Sequence, residues 1–348
     1  MAAHKENYTI RDIARICKVG VSTVSRAIND DPDISEATRE RILKVIDELH
    51  YVPNNSARNL KMADSNTVAL LVRGIDNYFY QGMYDTIEEQ LEAAGFGYMI
   101  HAVGQDDDMM EEARALIKEK RLHGLIILGG TIGKSDSRLA TLRVPLVLCT
   151  VAMKIGVTPP PCTTVSIDDE RASYEIVKHL IESGHRYIAI LAGLKSDKAV
   201  GAARLAGYQQ ALEDAGIPIN DSLIYYMHDD IPEFTAENGY AMCRDLLDSG
   251  EEFSAIFAIS DLMAIGVYKA LQEAGRTIPE DVSVVGFDGI NLADFLHPTL
   301  TTVVQPREEM ARCAVNELIR QMNGDSHVAH NMFETKLLIR NSVTEKGK

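Results

Sequence analysis

Between residues 67 and 287 the sequence alternates short apolar, β-branched runs with segments whose apolar residues recur at helical spacing. Strands that alternate with helices predict parallel sheets joined by right-handed crossovers. The runs are too many for one sheet of ordinary size, so we expect two doubly wound α/β lobes. The predicted strands are residues 67–72, 97–101, 124–128, 146–149, 164–167, 187–191, 255–259 and 283–287, with helices at 83–94, 109–120, 172–183, 202–215 and 261–274.

The first sixty residues carry a different pattern, that of three short helices with a tight turn between the first two. Thr9 and Asp12 have the spacing of a capping box at the start of the first helix. A break at residues 18–20 precedes a second short helix, and Ser35 is placed to cap a third. Three short helices in this arrangement are typical of an all-α helix-turn-helix domain.

The second of these helices has the composition of a surface that reads DNA. In a helix-turn-helix, the opening residues of the second helix reach base edges in the major groove. Arg26 can bond to guanine O6 and N7 through both arms of its guanidinium, and Val21 can touch a thymine methyl group. A helical hairpin of purely structural use is the alternative. On the DNA interpretation, the contacting residues are Val21, Ser22, Thr23, Ser25, Arg26 and Asn29.

The charge of the chain is distributed unevenly between this arm and the rest. The net charge is −16, which taken whole argues against nucleic acid. Residues 1–62, however, hold 10 Lys and Arg against 9 Asp and Glu, whereas the remainder holds 25 against 42. The acidic remainder would repel phosphate, so any DNA contact is confined to the first 62 residues.

The arm also resembles a known family. Residues 23–29, Thr-Val-Ser-Arg-Ala-Ile-Asn, resemble the T-V-S-R-x-L/I-N signature of LacI/GalR-family transcriptional regulators, and residues 9–14 are similar to the family's helix-1 opening, which adds Thr9 to the expected DNA contacts. The likeness continues over nearly the whole chain. Two departures lie before the signature: the family usually has Gly-Val-Ser where this chain has Lys18, Val19 and Gly20. Gly20 in place of serine weakens helix capping by a few tenths of a kcal/mol.

Residues 57–61, Ala-Arg-Asn-Leu-Lys, resemble the family's A-R-x-L hinge. The resemblance implies that Leu60 wedges into the minor groove at the operator centre, with Ala57 and Lys61 beside it. Such a wedge unstacks a base step, at a cost that the additional wrapped DNA offsets. A segment this short should become ordered only on DNA. Without the family, a plain interdomain linker is equally consistent with these residues.

Ligands of two-lobed α/β proteins bind at the carboxyl ends of the strands, in the cleft between the lobes. Residues 76–79 follow the first predicted strand directly and resemble the family's N-P-F-F loop. Residues 204–208 resemble its R-x-x-G-Y motif, and 286–288 resemble its G-Y/F-D motif. Ser260 stands where the family usually has Asn. The resulting effector residues are Asp76, Tyr78, Phe79, Asp168, Arg204, Phe234, Ser260 and Asp288.

The domain organisation follows from these segments. We expect a helix-turn-helix domain over 1–52, a hinge helix and linker over 53–63, and an effector-binding and dimerisation domain over 64–341, followed by a tail at 342–348. Within it, lobe 1 comprises 66–166 and 297–326, and lobe 2 comprises 168–293 and 328–341. The resemblance implies a homodimer, with a tetramer possible, on near-palindromic operator DNA, controlled by a small-molecule effector: a sugar or sugar derivative first, a purine or nucleoside second.

Other classes of protein find little support. Residues 128–135 nearly match a phosphate-binding P-loop, but Leu128 replaces the first glycine and no long helix follows. His327 and His330 lack a third ligand, so we expect no metal, and we expect no cofactor and no enzyme activity. We expect a cytoplasmic protein with no membrane contact. The five cysteines are scattered, and the sequence shows neither a secretory h-region nor an apolar stretch of membrane-spanning length. The alternative function is a solute-binding or sugar-processing α/β protein whose N-terminal helices are structural.

Overall fold

The computed structural model describes residues 8–28, 33–49, 51, 66–105, 107–130, 138–151 and 161–346. The chain divides into two compact units with the boundary after Ala63. The predicted fold class, a helical N-terminal domain and an α/β domain of two parallel sheets, is confirmed. The hinge helix falls on residues outside the described ones.

The first unit contains three helices, α1 (Ile10–Ile16), α2 (Val21–Ile28) and α3 (Glu36–Glu48). The predicted capping box is present, because Thr9 and Asp12 exchange side chain-to-backbone hydrogen bonds. Ser35 is at the N-cap position of α3, but its hydroxyl bonds to Thr38 rather than to a backbone N–H. The helices enclose a small core centred on Ile13, Val24 and Ile42, none of which is exposed.

The turn between α1 and α2 closes with a Schellman motif around Lys18. The Lys18 N–H donates to the carbonyl of Arg15, and the Val19 N–H donates to that of Ala14. Lys18 has a φ of 53°, the left-handed conformation that this motif requires and that glycine adopts at the least cost. The helix-turn-helix therefore carries strain at a position that glycine would occupy at a lower cost.

We expect Lys18→Gly to stabilise the first unit by about 1 kcal/mol, because a side chain in the left-handed region costs about 1–2 kcal/mol. Amide hydrogen exchange in the full chain should show about fivefold greater protection of the buried amides of α1 and α2. Lys44→Gly, in the exposed middle of α3, is the control and should lower protection. Unchanged or lower protection in Lys18→Gly would mean that the turn is not strained.

The second unit contains two six-stranded sheets, each forming one lobe. The sheet of lobe 1 has the strand order β11-β5-β4-β3-β1-β2 and is parallel throughout. Its strands are β1 (Thr67–Arg73), β2 (Gly97–Val103), β3 (Gly124–Leu128), β4 (Leu146–Cys149), β5 (Thr163–Ile167) and β11 (His330–Phe333). Its helices are α4 (Tyr78–Ala93), α5 (Met109–Lys120) and α10 (Arg307–Met322).

The sheet of lobe 2 has the order β12-β10-β9-β8-β6-β7, and only β12 runs antiparallel to its neighbour. Its strands are β6 (Ile188–Ala192), β7 (Ile224–Tyr226), β8 (Ala255–Ala258), β9 (Ser283–Asp288), β10 (Thr301–Val304) and β12 (Lys336–Leu338). Its helices are α6 (Asp169–Glu182), α7 (Val200–Asp214), α8 (Ala236–Ser249) and α9 (Asp261–Glu273). Among the described residues, no helix is long and apolar enough to cross a bilayer.

Two segments belong to the opposite lobe from the one predicted. β10 pairs with β9 in lobe 2, although residues 297–326 were assigned to lobe 1. β11 pairs with β5 in lobe 1, although residues 328–341 were assigned to lobe 2. The physical reason is that the chain passes between lobes just before Arg307 and again after Phe333, so that each sheet gains a strand next to a crossover. Neither β10 nor β11 was among the predicted strands, and the edge strand β7 was not predicted either.

The predicted C-terminal tail is also wrong for residues 342–346, which are fixed on lobe 2. The hydroxyl of Ser342, with no exposed surface, donates to the carbonyl of Val284 and accepts from the N–H of Thr301. His185 bonds to Ser254 through Nδ1 and to the carbonyl of Thr344 through Nε2. Short polar residues at the end of a chain gave no indication of these buried partners.

Burial lowers the pKa of His185 to about 4, with Lys346 also contributing. Its ordinary pKa in the unfolded chain is about 6.5, so the unfolded state binds the proton more tightly. We expect the stability that the neutral ring contributes to be present above pH 6.5 and lost as the pH falls toward 4. Urea unfolding at pH 7, 5.5 and 4.5 should show a smaller pH dependence in His185→Gln. An equal pH dependence in both proteins would exclude this role for His185.

Candidate functional site

A cavity of about 600 Å³ lies between the two lobes, at the carboxyl ends of the parallel strands. This volume is typical of small-molecule sites. Arg73 and Ile167 at the ends of β1 and β5 line it from lobe 1, and Asp288 at the end of β9 lines it from lobe 2. The other described lining residues are Gly74, Asp76, Asn77, Phe79, Tyr80, Gln105, Gly129, Gly130, Thr150, Asp169, Asp197, Ala199, Val200, Arg204, Pro232, Glu233, Phe234, Thr235, Glu237, Leu262 and Gln305.

The centre of the cavity wall is a buried ion-pair network around Arg204. Its Nε donates to Asp169 Oδ1 at 2.9 Å, and its Nη1 donates to the carbonyl of Ile259 at 2.6 Å. Nη1 also lies 3.5 Å from Asp288 Oδ1. The guanidinium stacks on Phe287, 3.7 Å from the ring centroid. Nη2 donates no hydrogen bond to a described residue, so one edge of the fork is available to a ligand.

The residues that follow Arg204 explain why the arginine is held there. Gly207 lies against α6, where a Cβ would come within 2.1 Å of the Glu170 carbonyl. Only glycine permits this close approach, which brings Asp169 at the start of α6 to Arg204 on α7. Tyr208 then anchors the helix to the sheet, because its hydroxyl donates to the carbonyl of Ile188 at 2.8 Å. The glycine and tyrosine of the R-x-x-G-Y pattern therefore position the arginine.

Asp288 is held in a strained conformation at the end of β9. Its φ is 113°, a region that residues with a side chain rarely adopt. Gln305 Nε2 donates to its Oδ1 at 2.8 Å, and the Gln305 N–H donates to its carbonyl. Burial raises the pKa of Asp288 to about 6, while Arg204 opposes the increase. Strain of this kind persists where the surroundings fix it, and here it presents a carboxylate to the cavity.

A second buried carboxylate, Asp261, supports this strand end from behind. It accepts from the hydroxyl of Thr302 at 2.5 Å and from the N–H of Ile290 at 2.8 Å. Gly286 makes room for it, since a Cβ there would lie 2.2 Å from Asp261 Oδ1. Burial, with the nearby Asp288, raises the pKa of Asp261 to about 8. Asp261 does not line the cavity; it fixes the loop that follows β9.

The wall from lobe 1 is also internally bonded. Arg73 donates through Nη1 to the carbonyl of Gln105 at 2.6 Å and through Nη2 to that of Asp107, which holds the loop after β2. Thr150, with a φ of 61°, accepts from the Gly129 N–H at 2.9 Å and approaches the Tyr80 hydroxyl at 3.5 Å. These contacts fix the strand-end loops before any ligand arrives.

Phe234 enters the cavity wall from a loop that Asn238 organises. Asn238 is fully buried and donates through Nδ2 to the carbonyls of His228 and Ile231, at 3.2 and 3.1 Å. Its Oδ1 accepts from the His228 N–H at 3.0 Å. Phe234 itself has a φ of 57° and would not hold this conformation without support. Asn238 therefore acts on the cavity through the loop rather than by lining it.

We expect Asn238→Ala to lower the free energy of unfolding by about 1–3 kcal/mol, because it leaves buried carbonyl and N–H groups without partners. Effector affinity should fall as well, since the Phe234 loop is released. Urea unfolding and ligand titration would measure the two effects. Asn220→Ala is the matched control: Asn220 is exposed in the same lobe and makes a single local cap to Ser222, so its replacement should leave effector affinity unchanged.

The predicted effector residues divide into two groups. Asp76, Phe79, Arg204, Phe234 and Asp288 line the cavity. The other three do not, for local reasons: Asp168 and Ser260 use their side chains to cap α6 and α9, and Tyr78 is 44% exposed at the start of α4. Among the lining residues that were not predicted from the sequence are Tyr80, Thr150, Asp169, Glu233 and Gln305. Of these, only Asp169 had a detectable signal, as a carboxylate directly after a predicted strand.

On the first unit, α2 presents part of the predicted DNA surface. Val21, Ser22 and Arg26 are exposed, and Thr23 and Ser25 are partly exposed, whereas Val24 and Ala27 are buried. Thr9 is exposed at the start of α1, where its hydroxyl serves the capping box. Asn29, Ala57, Leu60 and Lys61 lie outside the described residues, so their predicted roles stay predictions.

Comparisons with known proteins match both units. Residues 9–54 match the model for bacterial regulatory proteins of the lacI family, and residues 177–343 match a periplasmic binding protein-like domain. The HTH-type transcriptional regulator MalR of Clostridium butyricum is 36% identical over 339 residues, 96% of this chain and 98% of that protein. The ribose operon repressor of Haemophilus influenzae is 32% identical over 337 residues, with the same coverage. A solved complex of the transcriptional regulator CelR with cellobiose is 32% identical, with a TM-score of 0.69 over 96% of this chain and 99% of that one.

Proposed function

The chain belongs to the lacI family of bacterial regulatory proteins, and we propose that it represses transcription by binding a near-palindromic operator as a homodimer under the control of a small sugar. As a family member it is a DNA-binding transcriptional regulator. In this proposal the first 52 residues read the operator, residues 53–63 form the hinge, and residues 64–346 form the domain that binds the effector and the second subunit. A regulator that acts on operator DNA acts in the cytoplasm.

The proposed operator contacts are Thr9, Val21, Ser22, Thr23, Ser25, Arg26 and Asn29, together with Ala57, Leu60 and Lys61 of the hinge. The exposed face of α2 supports this proposal, because its buried face is already used by the core of the first unit. We infer a homodimer from the short stretch of DNA that one helix-turn-helix can contact. One recognition helix reads only a few base pairs, and two related by symmetry double the site and fix the half-site spacing.

The cavity between the lobes is the observation that carries the effector proposal. Its donors and acceptors include Arg204 Nη2, Asp76 and Glu233, which no described residue occupies, and its aromatic walls are Phe79, Tyr80 and Phe234. Alternating hydroxyls and apolar ring faces of a sugar match such a mixture. The relatives support the same class, since one is named for the ribose operon and one binds cellobiose. A purine stacked on Phe234 is the second candidate.

We propose that the chain is not an enzyme. The relatives reported above are named as regulators, and the part of the chain that the structure describes contains no group of three acidic, His or Cys side chains placed to hold a metal. The buried carboxylates of the cavity are bonded to Arg204, Gln305 or backbone groups, as a binding site requires.

Thermal unfolding of the full chain in the presence of sugars, nucleosides and purines tests the effector proposal. A ligand at a hundredfold excess over its Kd stabilises the folded state by about 2.7 kcal/mol. The compound that stabilises must also change operator affinity, because effector and DNA binding are coupled reciprocally, commonly by about 1–3 kcal/mol. A stabilising sugar without effect on operator binding would contradict the regulatory role, and stabilisation by purines alone would replace the sugar.

A further inference from the structure

We infer that the effector carries no negative charge: the cavity takes a neutral saccharide and excludes the corresponding sugar phosphates and sugar acids. This inference rests on the proposed function, since it specifies the effector of the same site. It goes further because regulators of this architecture could equally be built around a phosphorylated or a carboxylated sugar. The charge and bonding of the described lining residues decide between these classes.

The cavity is strongly acidic. Among its described lining residues there are two guanidinium groups, those of Arg73 and Arg204, and no lysine. Against them stand six carboxylates. Two of these, Asp169 and Asp288, have side chains that are almost fully buried. The full set of carboxylates is Asp76, Asp169, Asp197, Glu233, Glu237 and Asp288.

The terminal nitrogens of Arg73 are held by the protein, and the charge of Arg204 is offset within it. Both terminal nitrogens of Arg73 are bonded to backbone carbonyls of the loop after β2. Arg204 lies 2.9 Å from one buried carboxylate and 3.5 Å from another. Its charge is therefore already offset inside the protein. The free Nη2 of Arg204 offers a hydrogen-bond donor that suits a hydroxyl or ring oxygen, with no net positive charge behind it.

Two of the remaining carboxylates are free to accept hydrogen bonds from a ligand. Neither Asp76 nor Glu233 accepts a hydrogen bond from a described residue, although both line the cavity. Glu233 is half-buried, and burial, together with nearby Asp197, already raises the pKa of its carboxyl. A hydroxyl donates to these oxygens, whereas a phosphate or carboxylate would place a further negative charge among them. A sugar hydroxyl therefore satisfies the site and an anion does not.

Isothermal titration of the full chain with matched ligand pairs tests this inference. Each pair consists of a neutral mono- or disaccharide and its 6-phosphate or uronic acid counterpart. We expect the neutral member to bind at least about a hundredfold more tightly, because six carboxylates against two guanidinium groups repel the anion at short range. Raising the salt concentration should reduce the difference in affinity between the neutral and the anionic member.

The double variant Asp76→Asn/Glu233→Gln isolates the cause. It should raise the affinity for the anionic member by about tenfold, because it removes two of the repelling charges, and it should change the response to salt. Glu213→Gln is the matched control: Glu213 is exposed on α7, outside the cavity, and its replacement should alter neither affinity. An anionic sugar that binds more tightly than its neutral counterpart overturns this inference and leaves the proposed function standing. Failure of every sugar in both forms overturns the proposed sugar effector itself.

Discussion

Removal of residues 1–63 is expected to abolish operator binding, with a loss of more than about a thousandfold, the usual margin between specific and non-specific binding. The remaining residues hold 25 Lys and Arg against 42 Asp and Glu, so they should be repelled by the DNA backbone. The measurement is fluorescence anisotropy of a duplex that the full chain selects from random-sequence DNA. Operator binding at full-chain affinity by the truncated protein would contradict the assignment of DNA recognition to the first unit.

Effector binding by the truncated protein is the control for this experiment. Residues 64–348 have their own core, which shares no residue with the core of the first unit, and they include every described residue that lines the cavity. We therefore expect the truncated protein to bind the effector with unchanged intrinsic affinity. Leu60→Ala in the full chain is a milder change than the truncation and tests the hinge alone. It should weaken operator binding through loss of the proposed minor-groove wedge and leave effector affinity unchanged.

Much of the fold could be predicted because hydrophobic periodicity reports burial directly. The strands β3 and β4 and the helix α5 have the predicted bounds. The errors in lobe assignment lie in the C-terminal third, where β10 and β11 belong to the opposite lobes from those predicted. A strand's pattern records that it is buried but not which of two similar sheets buries it. Lobe membership depends on where the chain crosses, and short crossovers have no periodicity.

The cavity residues that belong to a sequence motif were predicted correctly. A residue was missed where two similar neighbours could each have faced the cavity and only the folded structure shows which one does. Asp168 and Asp169 follow the same strand, and either could have faced the cleft. The helix that begins there uses Asp168 as its cap, which leaves Asp169 to bond Arg204. Gln305 reaches Asp288 from a crossover without regular structure. Such contacts follow from three-dimensional packing, so the sequence contains no local signal for them.

Arg204→Ala is expected to lower the free energy of unfolding by about 3–5 kcal/mol and to abolish effector binding. The substitution leaves Asp169 and Asp288 buried without their countercharge, which is the costly way to break a buried ion pair. It also removes the guanidinium whose Nη2 donates to no described residue and can bond a ligand in the cavity. The sequence motif alone would predict only the loss of a ligand contact. The buried ion pairs predict a large loss of folding stability as well.

The pH dependence of this variant distinguishes charge from packing. Burial already raises the pKa of Asp169, and of Asp288 to about 6, and removing Arg204 takes away the group that lowers both values. Carboxyls with a raised pKa in the folded state destabilise it when ionised and cease to do so when protonated. The deficit of Arg204→Ala relative to the unchanged protein should therefore be greatest above pH 7 and shrink as the pH falls toward 4.

Arg244→Ala is the matched control for the Arg204 experiment. Arg244 lies on α8 of the same lobe, in an exposed i,i+4 pair with Asp248 at 3.8 Å. Such a pair contributes about 0–1 kcal/mol, so urea unfolding should barely register its loss. Adding Asp169→Asn to Arg204→Ala should recover part of the lost stability, since the buried charge is gone, without restoring effector binding. A deficit that does not change with pH, or a double variant no more stable than the single one, would show that Arg204 stabilises lobe 2 by packing alone.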